Sequence, residues 1–144
     1  MRPMRAFLFA FSILVAAACG TANHSPRAAD VSVRPLATPF FGSALEAPVD
    51  FEVAITNRSK EPLRIRTIRV SSTGMTQYAI RSRERLLNEP IAPGETKEVI
   101  VPAMALTSRS RLTATEPLSL RVNVGYEAKG RQFRELYQFP RIVF

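Results

Sequence analysis

The alternation of apolar and polar residues between positions 118 and 126 constrains the fold more than any other feature of the chain. The segment LSLRVNVGY places Leu, Leu, Val, Val and Tyr at every second position, with Ser, Arg, Asn and Gly between them. Successive side chains of a β-strand point to opposite faces of its sheet, so a period of two is typical of a strand with one buried face. The segment therefore predicts a half-buried strand rather than a helix.

Two earlier segments, 49–56 (VDFEVAIT) and 63–71 (LRIRTIRVS), repeat this pattern. In the second, Leu63 and Ile65 share a face, but the apolar positions change parity at Thr67 and continue as Ile68 and Val70. A shift of one residue turns every later side chain to the opposite face of the sheet. We therefore predict a β-bulge near Thr67 that restores the register.

Three further segments have strand patterns: Tyr78–Arg83, Thr96–Val101 and Arg131–Phe144. Pro140 lacks the N–H that a central strand donates, which predicts an edge or a bulge at that point. The charged segment 83–89 lies between the first two strands, and we expect its Leu86 and Leu87 to cover an edge of the core.

Turn residues separate these strands. Pro93 and Gly94 occupy the central positions of a predicted type II turn, because proline presets the first backbone angle and glycine supplies the positive φ of the second. Residues 127–130 (EAKG) predict a hairpin loop, and the polar stretch 107–117 predicts a longer loop.

Six or seven short strands without a helical pattern indicate an all-β sandwich. Three segments, Phe51–Asn57, Pro62–Ile65 and Ile91–Thr96, resemble the immunoglobulin-like modules of secreted bacterial proteins and the desiccation-related domains of the LEA type. The resemblance implies an immunoglobulin-like antiparallel β-sandwich of about seven strands over residues 31–144. The one Cys and the lack of Trp exclude the cysteine and tryptophan markers of antibody domains.

The amino terminus has the pattern of an export signal. Arg2 and Arg5 precede an apolar run of 14 residues that ends at Cys19. At about 1.5 Å per helical residue this run spans about 21 Å, which is short of the ~30 Å hydrocarbon core of a bilayer. A cleaved leader therefore fits the run better than a permanent transmembrane helix.

The segment Val15–Gly20 (VAAACG) resembles the lipobox of bacterial lipoproteins. The resemblance implies a diacylglycerol on Cys19, cleavage directly before it, a leader of residues 1–18 and a tether of residues 19–30. Gly20 follows the cysteine where members retained at the inner membrane often carry Asp, which favours the periplasmic face of the outer membrane. An ordinary signal peptide cut near Ala18 remains the alternative.

The net charge is +8, and 17 of the 20 basic residues are Arg. The third, sixth and seventh strands of an immunoglobulin-like fold share one sheet. If these strands are the ones around positions 63, 118 and 131, their outer face carries a group that we call the Arg face: Arg64, Arg66, Arg121 and Arg134. A row of guanidinium groups can bind carboxylates or phosphates, although it can also be a solvated surface without a partner.

No catalytic, cofactor or metal site is predicted. His24, the single histidine, lies in the tether without nearby partners, and no segment resembles a metal-ligand or phosphate-binding motif. The sequence therefore predicts a non-enzymatic envelope lipoprotein that binds an envelope protein or anionic polymer, through the Arg face or by strand addition at its long last strand. The export signal argues against nucleic acid as a partner. The alternative is a structural or protective envelope protein of LEA-like type without a specific partner.

Overall fold

The computed structural model describes residues 27–73, 78–107 and 117–144. These residues form eight β-strands and no helix. The strands are β1 (Ala29–Pro35), β2 (Glu46–Asn57), β3 (Leu63–Ser72), β4 (Tyr78–Ser82), β5 (Arg85–Ile91), β6 (Thr96–Thr107), β7 (Leu118–Ala128) and β8 (Arg131–Ile142). The predicted all-β antiparallel sandwich is confirmed, with β1 beginning two residues before the predicted start of the folded region at position 31.

All eight strands pair antiparallel in the order β1-β2-β6-β4-β3-β7-β8, with β5 beside β3. The strand β4 joins two layers, because it pairs with β6 along its length and with β3 only at Ser71 and Arg81. The chain then crosses at positions 83 and 84 and continues as β5 in the other layer. One layer is thus β1-β2-β6-β4, and the other is β5-β3-β7-β8.

The core lies between these layers and follows the alternation in the sequence. On β2 the buried positions are every second residue from Ala47 to Ile55, and on β7 they run from Leu118 to Tyr126. Each fully buried Val, Leu or Ile contributes roughly 1.5–3 kcal/mol relative to its exposed state. The two layers therefore hold together through one continuous apolar cluster.

Most of the local predictions are confirmed. The register of β3 shifts between Ile65 and Thr67 against both β5 and β7, so the bulge forms where the parity changes. Gly94 has φ +78°, and the Glu95 amide donates to the Ala92 carbonyl at 3.0 Å, which closes the turn around it. Positive φ at Lys129 and Gly130 closes a two-residue hairpin between β7 and β8.

The last strand is an edge strand, as its proline predicts. Strand β8 ends the sheet order, and its register against β7 shifts between Leu118 and Leu120. Pro140 lies in this irregular stretch, and its carbonyl accepts a hydrogen bond from the Ser119 hydroxyl at 2.9 Å. The position therefore combines both expected features, an edge and a bulge.

The segment after the sheet crossing differs from its prediction. Residues 85–91 pair with β3 as a strand, which raises the number of strands from about seven to eight. Leu86 does not cover the core, because it pairs opposite Thr67 and is 78% exposed, whereas Leu87 packs partly against the core. The strand pattern of residues 85–91 was not recognised in the sequence, because most of its side chains are charged or exposed to solvent.

Candidate functional site

The strands that carry the Arg face, β3, β7 and β8, are adjacent in the sheet. Arg64 and Arg66 lie on β3, and Arg64 is opposite Glu127 of β7. Arg121 lies on β7, opposite Ser71 of β3. Arg134 lies on β8 opposite Gly125. The four arginines therefore share one sheet, distributed along its length and across three strands.

Two of these guanidinium groups share one acceptor. Arg64 and Arg66 each donate from Nη1 to Oδ1 of Asn88 at 2.9 Å. Arg66 also lies 3.4 Å from the Glu127 carboxylate, in an ion pair that is partly open to water. The neutral amide oxygen orients both cations but neutralises neither, and Glu127 is the one carboxylate that forms an ion pair with either of them within the described residues.

The other two members of the Arg face have different surroundings. Arg134 forms an ion pair with Glu84 at 3.3 Å, and both side chains are substantially exposed. Arg121 is exposed and has no ion pair or side-chain hydrogen bond with the described residues. Exposed ion pairs contribute little to stability, about 0–1 kcal/mol, so Arg134 can exchange its partner for an external anion at small cost.

Sequence reasoning missed an arginine on the same surface. Arg69 is exposed on β3, opposite Asn123 of β7. Its outward direction was readable, because the parity change at Thr67 turns Ile68 and Val70 inward and leaves Arg69 between them on the outside. The sequence did not show which residues lie near Arg69, because these belong to the crossing between β4 and β5.

At that crossing, Arg81 and Arg83 bring further positive charge to Arg69. One face of a cleft of about 550 Å³ is lined by Arg81, Arg83, Glu84 and Arg85, and the other face by Val101, Pro102, Ala103 and Met104 of β6. A second cleft of about 500 Å³ shares Arg81, Arg83, Glu84 and Met104 with the first and extends to Arg69 and Glu46. We call the two together the crossing cleft. Its arrangement is suited to binding an anion beside an apolar wall.

A buried polar network lies on the inner face of the layer β5-β3-β7-β8, whose outer face carries the Arg face. The Tyr126 and Tyr137 hydroxyls are 3.2 Å apart, and the Tyr137 hydroxyl donates to the Glu135 carboxylate. The other oxygen of Glu135 accepts the Ala28 amide at 2.9 Å, and the Ala29 carbonyl lies 3.1 Å from the Tyr137 hydroxyl. This network ties the first residues of β1 to β8, and it explains why Glu135 shares the inward parity of apolar residues.

Burial sets the acid–base behaviour of this network. Both tyrosines are almost fully buried, at 0% and 2% exposure. Desolvation raises the pKa of Tyr126 well above its ordinary value, and desolvation together with the hydrogen bond to Glu135 does the same for Tyr137. The two phenols therefore stay protonated and act as structural hydrogen-bonding groups.

Two of the three motifs that resemble immunoglobulin-like and LEA-type domains, Phe51–Asn57 and Ile91–Thr96, meet at Asn57. Its buried side chain donates to the Glu61 and Ile91 carbonyls at 2.7 and 3.1 Å and accepts from the Ser59 amide at 2.9 Å. Its backbone pairs with Gly94 and Glu95 across the next turn. These residues join two turns at one end of the sandwich, so their role is structural.

The predictions for Cys19, His24 and residues 19–26 of the tether fall outside the described residues, as does most of the predicted loop 107–117. The end of the predicted tether, 19–30, is wrong, because Ala29 and Asp30 already pair with β2 as the start of β1. Within 27–73, 78–107 and 117–144, no group of three His, Cys, Asp or Glu side chains is placed to hold a metal ion. No helix in these ranges is long and apolar enough to cross a membrane.

Comparison with known proteins assigns no family to the chain. No protein-family model matches it, and no curated protein gives a significant match. Among solved structures, a Northeast Structural Genomics Consortium target is 12% identical, with coverage of 81% of this chain and 87% of that one and a TM-score of 0.49. A FixG-related protein from Vibrio parahaemolyticus is 14% identical, covering 80% and 97%, at a TM-score of 0.36. The GAE domain of yeast GGA1 is 12% identical, covering 77% and 87%, at 0.43. At TM-scores below 0.5 these similarities indicate no function.

Proposed function

We propose that the protein is a lipid-anchored, non-enzymatic binding module of the bacterial envelope that holds an anionic protein or polymer against its Arg face. The observation that carries the proposal is the pair Arg64 and Arg66, held on the single neutral oxygen of Asn88. Like charges repel, so a neutral residue that holds two of them together maintains a site of positive potential. Guanidinium groups fixed in this way lose little freedom when they bind a carboxylate or phosphate.

The position of β1 supports an anchored orientation. Ala29 pairs with Asn57, so β1 begins at the end of the sandwich that carries the Asn57 turn. The segment from Cys19 to Arg27 has nine residues, and its eight Cα–Cα steps reach at most about 28 Å. Arg64 lies toward the same end, whereas Arg121 lies toward the other end, opposite Ser71. On this proposal the Arg face extends from the anchored end of the sandwich toward its far end, where a neighbouring envelope protein or polymer can contact it from the side.

In-cell crosslinking tests the proposal. We expect one dominant crosslinked adduct with the natural chain and its loss in the triple variant R64Q/R66Q/R121Q. The matched control R34Q/R58Q/K97Q removes three cations, each with an ion-pair partner, from other parts of the described structure, and it should keep the adduct. Mass spectrometry of the mature chain should find a diacylglycerol on Cys19.

Two results would contradict parts of this proposal. A diffuse smear of adducts that all variants share would favour the LEA-like alternative, a protective protein without a specific partner. An unmodified thiol at Cys19, or a mature chain that begins elsewhere, would remove the lipid anchor but leave the binding result intact. Thermal melting of the triple variant within a few degrees of the natural chain shows that a lost adduct is not caused by unfolding.

A further inference from the structure

We infer that the crossing cleft is a second binding site, for a small anionic amphiphile with a phosphate or carboxylate headgroup and one short apolar chain. The cleft exists because the chain leaves one layer after Ser82 and enters the other at Arg85. Strand β4 pairs with β6 only from Ala103 to Thr107. The remaining part of that edge of β6 has no strand partner among the described residues, and the crossing forms a wall opposite it.

Unpaired cations form the polar side of the cleft. Arg69, Arg81 and Arg83 are exposed and have no ion pair or side-chain hydrogen bond with any residue in the described ranges. The carboxylate of Glu84, which also lines the cleft, is engaged by Arg134 at 3.3 Å. Glu46 is the other carboxylate that lines the cleft, and the two carboxylates face four arginines: Arg69, Arg81, Arg83 and Arg85. The cleft consequently keeps a net positive charge that is available for an external anion.

Apolar residues of β6 form the other side. Val101 and Ala103 are buried at the base, at 0% and 7% exposure, and Met104 is 37% exposed at the boundary between the two parts of the cleft. A volume of about 550 Å³ lies in the range of small-molecule sites, roughly 300–1,000 Å³. A ligand that neutralises the arginines and covers this wall needs both an anionic group and an apolar one.

The open edge of β6 is poorly suited to a partner strand. The Arg85 guanidinium donates to the Ile100 carbonyl, so one edge acceptor is already occupied. Pro102 has no N–H to donate to an added strand. These two features disfavour an extended peptide at this position and leave the volume above the edge for a compact ligand.

Calorimetric titration with short amphiphiles tests this inference. The mature protein is purified from its own cells and placed in phosphatidylcholine nanodiscs, with empty nanodiscs as the blank. If Cys19 carries no lipid, the same titration is made in buffer with a buffer blank, so the result does not depend on the anchor. The probes are hexyl phosphate, hexanoate, inorganic phosphate and hexanol. We expect saturable binding of one molecule of hexyl phosphate or hexanoate, at least tenfold tighter than inorganic phosphate and hexanol. Whichever of the two acids binds more tightly identifies the headgroup.

Variants connect the binding to the cleft. R81Q/R83Q should weaken the preferred amphiphile at least tenfold, and M104N should weaken it severalfold without changing the response to inorganic phosphate. The matched control R131Q/R141Q removes two exposed arginines that do not line the cleft, and it should bind as the natural chain does. Equal affinity for hexyl phosphate and inorganic phosphate, or equal losses in the two double variants, would overturn the inference. The Arg-face adduct is measured separately, so either proposal can fail alone.

Discussion

At the scale of single residues, Asn57 shows how a motif that resembles other families can be entirely structural. Its amide group is completely buried and has partners for both its donor and acceptor atoms, on three other residues in two turns. A buried amide whose hydrogen bonds are all satisfied specifies one geometry, because any other packing leaves polar atoms without partners. The position is therefore sensitive to substitution although it performs no chemistry.

Replacement of this residue by alanine should be strongly destabilising. N57A leaves the Ile91 carbonyl and the Ser59 amide without their side-chain partner, whereas the Glu61 carbonyl keeps the Ser59 hydroxyl as a donor. We therefore expect the free energy of unfolding to fall by about 2–3 kcal/mol. Urea unfolding followed by circular dichroism measures this change. N88A is the matched control, because Asn88 is exposed, and its effect should stay below about 0.5 kcal/mol. Equal effects of the two substitutions would contradict the structural role of Asn57.

At the scale of elements, the bulge in β3 determines what its neighbour β7 can carry. Thr67 lies opposite Gly125, and a Cβ atom built on that glycine would come within 2.4 Å of the Thr67 Oγ1 atom. The threonine is β-branched and restricted in χ1, so it cannot move aside freely. Gly125 in the pattern LSLRVNVGY is thus required because any side chain there would overlap Thr67 of the neighbouring strand, a contact that the sequence of β7 alone does not show.

A double-mutant cycle tests this contact. G125A should lower the free energy of unfolding by about 1–2 kcal/mol through overpacking. In T67A/G125A the oxygen is absent, and we expect the double variant to be more stable than the sum of the two single changes implies. Denaturant unfolding of all four proteins gives the coupling energy. Strict additivity would show that Thr67 is not the obstacle.

At the scale of the whole molecule, the two layers are joined in two ways. Strand β4 pairs with both layers on one side, and the Tyr126–Tyr137–Glu135 network ties the start of β1 to β8 on the other. The second connection depends on protonated phenols, because burial holds the pKa of both tyrosines above the ordinary value of about 10. The stability of the fold should therefore respond to alkaline pH.

The direction of this response follows from proton binding. Above about pH 10 the tyrosines of the unfolded chain lose their protons while those of the folded protein keep them, so the unfolded state binds fewer protons and stability falls as pH rises. Each tyrosine contributes a slope of about 1.4 kcal/mol per pH unit in this range. Urea unfolding at pH 9, 10 and 11 measures the slope, which should be shallower in Y126F/Y137F. Parallel slopes in the two proteins would contradict the assignment.

The sequence by itself determined the local structure. The alternation 118–126 predicted β7, the parity change at Thr67 predicted the bulge, and Pro93 and Gly94 predicted the turn before β6. These features are local because side-chain direction and turn geometry depend on a few neighbouring residues. The general strand order of immunoglobulin-like folds also led us to expect the strands around positions 63, 118 and 131 in one sheet, and β3, β7 and β8 are neighbours there.

Only the tertiary structure decided where the chain changes layers and what that crossing brings together. Arg69 and Arg81 are separated by 12 positions but line one cleft, and Glu135 accepts a hydrogen bond from an amide 107 positions away. Such contacts depend on which strands lie side by side, and strand pairing is made through backbone groups that every residue carries. For that reason the alternation of side chains records which face of a strand is buried, but not which distant strand will be its neighbour.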